Sequence, residues 1–422
     1  MKIFIFISLM VAGMISSCAN EPRMNAPDDG SSAKTLSTKA EQLIAKAQQA
    51  RALFYPTQSR SVSADATIEY VVSRNSRSEA DTLLSIVNFV DNQGFVIMTD
   101  KAEVPEILAV TDDGNLIPEL NDNPGLQQYL DNAEAVLSTL PRKGPGGTVP
   151  LDPTKPYLCE YVEYYDTIYS IAPMVTVRWG QADPYNNNCP LINGVRAVTG
   201  CLPIAVAQAM THFKHPQSFV WDIDGASSTV ILDWTEINKH VGLWACNDAA
   251  GIAHESISKL VRKLGEQLEA NYGETATSAK YRKTRSTLES YGYTVSDIID
   301  FKTTENFNGR SIWIMYGEDN TTVEGKVSRH AFLADGRNYV RYITEERIID
   351  PSTNPPTIVD AYNRTVVNYD YLHINWGWNG TSNGYFYYGT FNSSNPIEID
   401  NSFMGKAGYN FTNNLKYIKV SR

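Results

Sequence analysis

An α+β fold is what this sequence predicts: a small α+β unit first, then a larger domain in which a helical half packs on an antiparallel sheet half. Three observations carry that expectation. Residues 38–140 hold a helical pattern, a strand–turn–strand pattern and a second helical pattern. Residues 141–156 contain five prolines and three glycines, which neither a helix nor a central strand accommodates. Beyond them helical periodicity comes first, and from Arg310 onward strands rich in Trp, Tyr, Val and Ile take over, separated by Gly/Asn/Ser turns.

The chain has 422 residues, enough for two or three domains, with 42% hydrophobic and 20% charged residues. Its net charge of −11 and lack of any Lys/Arg-rich run argue against a nucleic-acid partner, because phosphate binding needs a basic surface. Lys2 and the apolar run 3–15 form a secretory signal, too short to span a bilayer. The run ends in "ISSC", which resembles a bacterial lipobox, and by that resemblance Cys18 is the lipidated first residue of the mature chain. The polar stretch 19–37 reads as a tether. A lipid anchor is then the one membrane attachment expected, and the chain is expected in the bacterial cell envelope or, after processing, secreted.

Residues 38–54 read as a helix, with Thr38 and Glu41 in capping-box positions and Leu43, Ile44, Ala47 and Phe54 roughly on one face. In "SIVNFVDNQGFVIMTD" two β-branched runs flank Asp91-Asn92-Gln93-Gly94, which predicts a β-hairpin. "VPEILAV" follows, and 126–140 is the second helix. The Pro/Gly-rich 141–156 is the expected domain boundary and a protease-sensitive linker. The larger domain, 157–422, opens with helices after Cys201 and within "ESISKLVRKLGEQLEANYG", where Ile257, Leu260, Val261, Leu264 and Leu268 keep helical spacing. A cleft between the two halves is the natural place for a site.

"AVTGCLPIAVAQAM" carries the candidate chemistry. Cys201 stands where a helix begins, and unpaired N–H groups there stabilise a thiolate. Gly200 allows a substrate backbone to approach, and Pro203 is tolerated in a first turn. A buried structural cysteine remains the commoner reading of such a stretch alone. A nucleophile needs a base, an orienting group for that base and oxyanion donors. His212 and His215 lie roughly three to four turns along the helix from Cys201, too far to touch it, and His240 and His254 sit in no pattern. His330 opens "HAFLAD" and His373 lies in "YLHINWGW". His330 is the better base, although composition alone leaves the choice open. Cys159, Cys189 and Cys246 form no C-x-x-C with Cys201, so no zinc site is expected.

"GCLPIAVAQAM", "SRHAFLADG" and "HINWGWNGTSNGYF", in this order, resemble the streptopain family of papain-like cysteine peptidases. "RWGQADPYNNNCP", "LDWTEI" and "NYGETATSAK" extend the likeness, and residues 87–114 are similar to the family's propeptide. The resemblance implies a two-lobed papain-like peptidase domain behind an inhibitory prodomain, acting on proteins or peptides as a monomer without cofactor or metal. It implies that Cys201 is the nucleophile, His330 the base and acid, and Gln181 the side-chain partner of the Cys201 N–H in the oxyanion hole. Trp376, with Asn375 as second choice, takes the base-orienting place, and Trp378 walls the cleft. A bulky apolar residue just upstream of the cleaved pair is the preference it implies. Arg329 before His330, Leu202-Pro203 after the nucleophile and the long insertion 341–370 depart from the family pattern. Two other readings stay open: a non-catalytic surface lipoprotein, and a Cys–His amidase acting on cell-wall peptides.

Overall fold

Period-two alternation of β-branched and aromatic residues builds one large sheet, and helices cover it wherever apolar residues recur every three or four positions. A computed structural model describes residues 30–56, 65–72, 82–101, 104–118, 121, 123–140, 158–223, 225, 227–239, 248–301, 307–318, 329–350, 357–388 and 415–422. The signal segment, Cys18, the 141–156 linker and Cys246 lie outside the described residues, as does the side chain of Cys159.

The N-terminal part contains helix α1 (Gly30–Phe54), strands β1 (Ala66–Val72), β2 (Thr82–Phe89), β3 (Phe95–Met98) and β4 (Ile107–Thr111), and helix α2 (Pro124–Leu137). The expected hairpin is present, with Asn88 opposite Phe95 and with Asp91 and Asn92 in left-handed turn conformations. Helix α1 begins earlier than expected. No proline or glycine interrupts 31–54, so the helix runs through Thr38, and residues 30–37, read as tether, are helical. In α2 Asn123 is the N-cap, its side chain accepting from the Gly125 and Leu126 N–H groups.

The larger part follows with β5 (Leu158–Ile171), the short pair β6 (Leu191–Ile192) and β7 (Val195–Arg196), and helix α3 (Cys201–Phe213). Next come the hairpin β8 (Ser218–Trp221) and β9 (Ser228–Ile231), and helices α4 (Trp234–Lys239), α5 (Asp248–Gln267) and α6 (Thr284–Ser290). Strands β10 (Thr294–Val295), β11 (Ile299–Asp300), β12 (Ile312–Glu318), β13 (Arg329–Asp350), β14 (Thr357–Asn375), β15 (Gly384–Tyr387) and β16 (Lys416–Ser421) complete it.

The main sheet runs β1-β2-β3-β4-β15-β14-β13-β12-β16-β10, and its pairings are antiparallel. Its two halves are joined where Thr111, Val110 and Ala109 of β4 face Gly384, Tyr385 and Phe386 of β15. Each strand thereby covers an edge of the other that is otherwise unpaired. Helices α3 to α6 pack on one face of the downstream strands, burying Ile312, Ile314, Ala331 and Leu333. The alternate residues Trp313, Met315, Phe332 and Ala334 bury on the opposite face, together with Leu126, Tyr129 and Leu130 of α2. Helix α1 covers the far face of the N-terminal strands with Ala47, Ala50 and Phe54. The insertion 341–370 does not separate β13 from β14 but continues both, and β5 pairs along β13 from Arg337–Ile171 to Ile349–Leu158.

Candidate active site

Cys201 is the first residue of α3, and Gly200 caps that helix at φ +86°. A side chain at position 200 is strained by that φ, and its Cβ would lie 2.9 Å from the Thr277 carbonyl oxygen. The glycine is therefore needed by the chain's own backbone, not only by an incoming substrate. The helix carries Pro203 in its first turn, where the missing N–H has no partner to lose.

Strand β13 enters the site from the sheet. The Ala331 N–H donates to Cys201 Sγ over 3.3 Å, so the strand's first residues lie directly against the start of α3. His330, one residue earlier, is 1% exposed. Its Nε2 lies 3.0 Å from the Trp376 carbonyl oxygen. A carbonyl only accepts, so Nε2 carries the proton and Nδ1 is the unprotonated nitrogen. Trp376 stands at the end of β14, its backbone N–H donating to Asn383 Oδ1 and its indole Nε1–H to the Ser382 carbonyl. Its ring lies 6.5 Å from the imidazole at 29°, and Trp378 meets the same imidazole edge-on at 6.1 Å.

The contact that orients the His330 ring thus comes from the Trp376 backbone carbonyl. Asn375 does not supply it: its Nδ2 donates to the Val177 carbonyl and to Gln208 Oε1, and its Oδ1 accepts from the Gly377 N–H. Gln181 lies on the loop after Trp179, where its carbonyl accepts from the Thr199 N–H at 2.9 Å, two residues before Cys201. That loop meets the tryptophan turn where the Asn379 N–H donates to the Trp179 carbonyl. Arg329 is exposed at the first position of β13.

Burial sets the protonation state. It pushes the Cys201 thiol up, against the pull of the Ala331, Cys201 and Leu202 N–H groups. It lowers the His330 imidazole to about 4, with the Trp376 carbonyl pulling the other way. Both groups are neutral at pH 7, so the resting pair is a thiol beside a neutral imidazole. Part of the cover comes from the N-terminal half. Gly125 in α2 sits so close that a Cβ there would lie 2.4 Å from Trp376 Cε3 and 2.8 Å from His330 Cδ2. A second contact is charged: Arg178 pairs with Asp112 at 3.0 Å and Asp113 at 2.8 Å, just after β4.

Gly125, the Asn123 cap and the Trp376 carbonyl were not visible as site features in the sequence. The first two belong to a helix start distant along the chain, and a backbone carbonyl has no residue signature. Among the described residues no three His, Cys, Asp or Glu side chains gather as a metal site. His373, the other candidate base, has Nδ1 2.7 Å from Asp335 Oδ1 and does not reach the cysteine's strand contact.

The model of the peptidase C10 family matches residues 179–386, which include Gln181, Cys201, His330 and Trp376. Streptopain of Streptococcus pyogenes is 22% identical over 335 residues, covering 70% of this chain and 72% of that protein. The thiol protease/hemagglutinin PrtT of Porphyromonas gingivalis is 24% identical over 392 residues, 86% of this chain but 40% of its own length. A prointerpain A fragment from Prevotella intermedia aligns in three dimensions with a TM-score of 0.49 and 18% identity, over 84% of this chain and 98% of the fragment. The chain belongs to the streptopain (peptidase C10) family of cysteine peptidases.

Proposed function

We propose that this chain is the precursor of a cysteine endopeptidase, exported and anchored to the cell envelope through a lipid on Cys18, in which the N-terminal half keeps the site closed until it is cut away. The observation that carries the peptidase reading is the contact between the two halves of the site. Cys201 Sγ receives a hydrogen bond from the residue following His330, while the His330 Nε2–H is engaged by Trp376 and Nδ1 stays free of a proton. The closed state is supported by Gly125 against His330 and Trp376 and by the Arg178 ion pairs. The anchor rests on the signal and the "ISSC" sequence alone.

In the opened enzyme Nδ1 of His330 takes the Cys201 Sγ proton as sulfur attacks the peptide carbonyl carbon. The oxyanion lies between the Cys201 N–H and the Gln181 side-chain amide. The tetrahedral species collapses by breaking its C–N bond, and the amine leaves with the proton held on Nδ1. A water then gives a proton to Nδ1 and its oxygen attacks the thioester. The carboxylic acid departs, and sulfur recovers its proton from the imidazolium.

The test compares the native chain with Cys201→Ala on casein. Self-processing and caseinolysis by the native chain, both lost in the variant, support the proposal. A precursor that stays intact and inert toward casein overturns it in favour of a binding lipoprotein. Release of amides from cell-wall peptides with casein untouched favours the amidase.

A further inference from the structure

We propose that Gln208 and Asn375 form an amide clamp that holds the catalytic segments in register, acting as positioning residues for the Cys201–His330 chemistry. The inference rests on the peptidase reading above. Gln208 is the one polar side chain in the apolar run between Cys201 and Met210, and it is 0% exposed. It lies seven residues after Cys201, so the two share a helix face about 10 Å apart. An unpaired amide buried there would be costly, so its partners explain why it is tolerated.

Those partners are the other segments of the site. Gln208 Oε1 accepts from the Trp179 N–H at 3.1 Å, two residues before Gln181. It also accepts from Asn375 Nδ2 at 3.2 Å, and Gln208 Nε2 donates back to Asn375 Oδ1 at 3.4 Å. Asn375 Nδ2 holds the Val177 carbonyl at 3.0 Å, and its Oδ1 holds the Gly377 N–H at 3.1 Å. The Trp376 peptide that carries the base-orienting carbonyl lies between Asn375 and that anchored Gly377. One reciprocal amide pair therefore ties the nucleophile helix, the loop bearing Gln181 and the turn that orients His330. The Trp179 N–H can only donate, which fixes Oε1 toward it and Nε2 toward Asn375. At Gly377, φ +70°, a Cβ would lie 3.7 Å from Gln208 Nε2 and 3.4 Å from Ile204, so the turn rests on this part of α3. A displacement of about 1 Å at such segments costs on the order of 100-fold in rate.

Three variants of the full chain, each brought to its processed form by added native enzyme that is then removed, test the clamp. In Gln208→Leu, kcat on a peptide substrate falls roughly 10- to 100-fold with KM within about threefold, since groups acting in the transition state move while the cleft does not. In Gln208→Glu the introduced carboxyl is isosteric, and when protonated its O–H donates to Asn375 Oδ1 as Nε2 does. Once ionised it turns an acceptor toward an acceptor. The ratio of variant to native kcat is therefore near one at acid pH and falls about tenfold as pH rises, a profile that a merely structural role does not produce. Cys201→Ala is the control. A Gln208→Leu protein of native melting temperature with kcat within twofold of native overturns the clamp. If that variant does not fold, a flat Gln208→Glu to native ratio across pH overturns it instead. Retained activity in Cys201→Ala overturns the peptidase reading and the clamp with it, whereas activity lost there but kept in Gln208→Leu overturns the clamp alone.

Discussion

His330 and His373 are two buried histidines on adjacent antiparallel strands, and they differ in what holds their rings. His330 is gripped by a neutral backbone carbonyl on Nε2 and by aromatic rings. His373 is gripped by a carboxylate: Asp335 Oδ1 holds its Nδ1, while Asp335 Oδ2 accepts the Val175 N–H at 2.7 Å and the Asp335 carbonyl accepts the Met174 N–H. The first arrangement leaves Nδ1 unprotonated, one residue before the strand's contact with Cys201. The second joins β13, β14 and the segment entering the helical half, which is a task of assembly. Burial alone therefore does not mark a catalytic base; the partner of the other ring nitrogen does.

The sharpest way to break this comparison is to remove each ring in turn. His330→Ala lowers kcat/KM at least about 1000-fold with little change in melting temperature, because general acid–base transfer is lost. His373→Ala leaves kcat/KM per folded molecule within a few-fold of native. It destabilises by about 3 kcal/mol, because it strands a buried carboxylate oxygen. Peptide hydrolysis and thermal unfolding measured on both variants check the pair, and an inactive but stable His373→Ala would reverse the assignment.

A smaller effect tests what covers His330. Gly125→Val places carbon atoms inside the space of Trp376 and His330, so the N-terminal half loosens and precursor processing speeds up several-fold. Unchanged processing would show that this contact does not close the site.

The acid response is a further test of the same cover. An exposed imidazole titrates near 6.5, whereas the covered His330 is lowered to about 4. Between these values the opened form binds a proton that the covered form does not. The cover therefore loses stability as pH falls from about 6.5 toward 4, and keeps it above that range. In the Cys201→Ala precursor, where no cutting interferes, the α2 amides, each rate divided by its intrinsic base-catalysed rate at that pH, are expected to be less protected at pH 5 than at pH 7.5. Equal protection at the two pH values would separate the cover from His330.

The smallest effect concerns the charged contact. Arg178→Ala removes a partly exposed ion pair and weakens the closure by about 1 kcal/mol or less, less still at high salt. Salt-dependent processing of the native precursor that disappears in this variant is the expected signature.

Much of the fold was legible because it rests on local pattern. The hairpin around Asp91 and Asn92, the start of α3 at Cys201 and the strand after His330 follow from turn residues, a proline in a first turn and period-two alternation. The β4–β15 pairing was not, since strand partners distant along the chain leave no mark in either segment. The 341–370 insertion was read as separating the histidine strand from "HINWGW" because the family pattern runs almost directly between them, whereas β13 and β14 both extend into it. At the site, the motifs named Cys201 and His330, and the structure brings the residue after His330 against the Cys201 sulfur. Asn375 was held as second choice for the base-orienting place because papain-like enzymes use an asparagine there, yet its amide goes to Gln208 and Val177.

The account stands most directly on which atom reacts. Treating the processed chain with a thiol-directed epoxide and mapping the adduct by mass spectrometry gives the answer. One adduct on Cys201, lost in His330→Ala and retained in His373→Ala, is the predicted result. Casein cleavage that persists with Cys201 unmodified, or an adduct that forms equally well without His330, would contradict it.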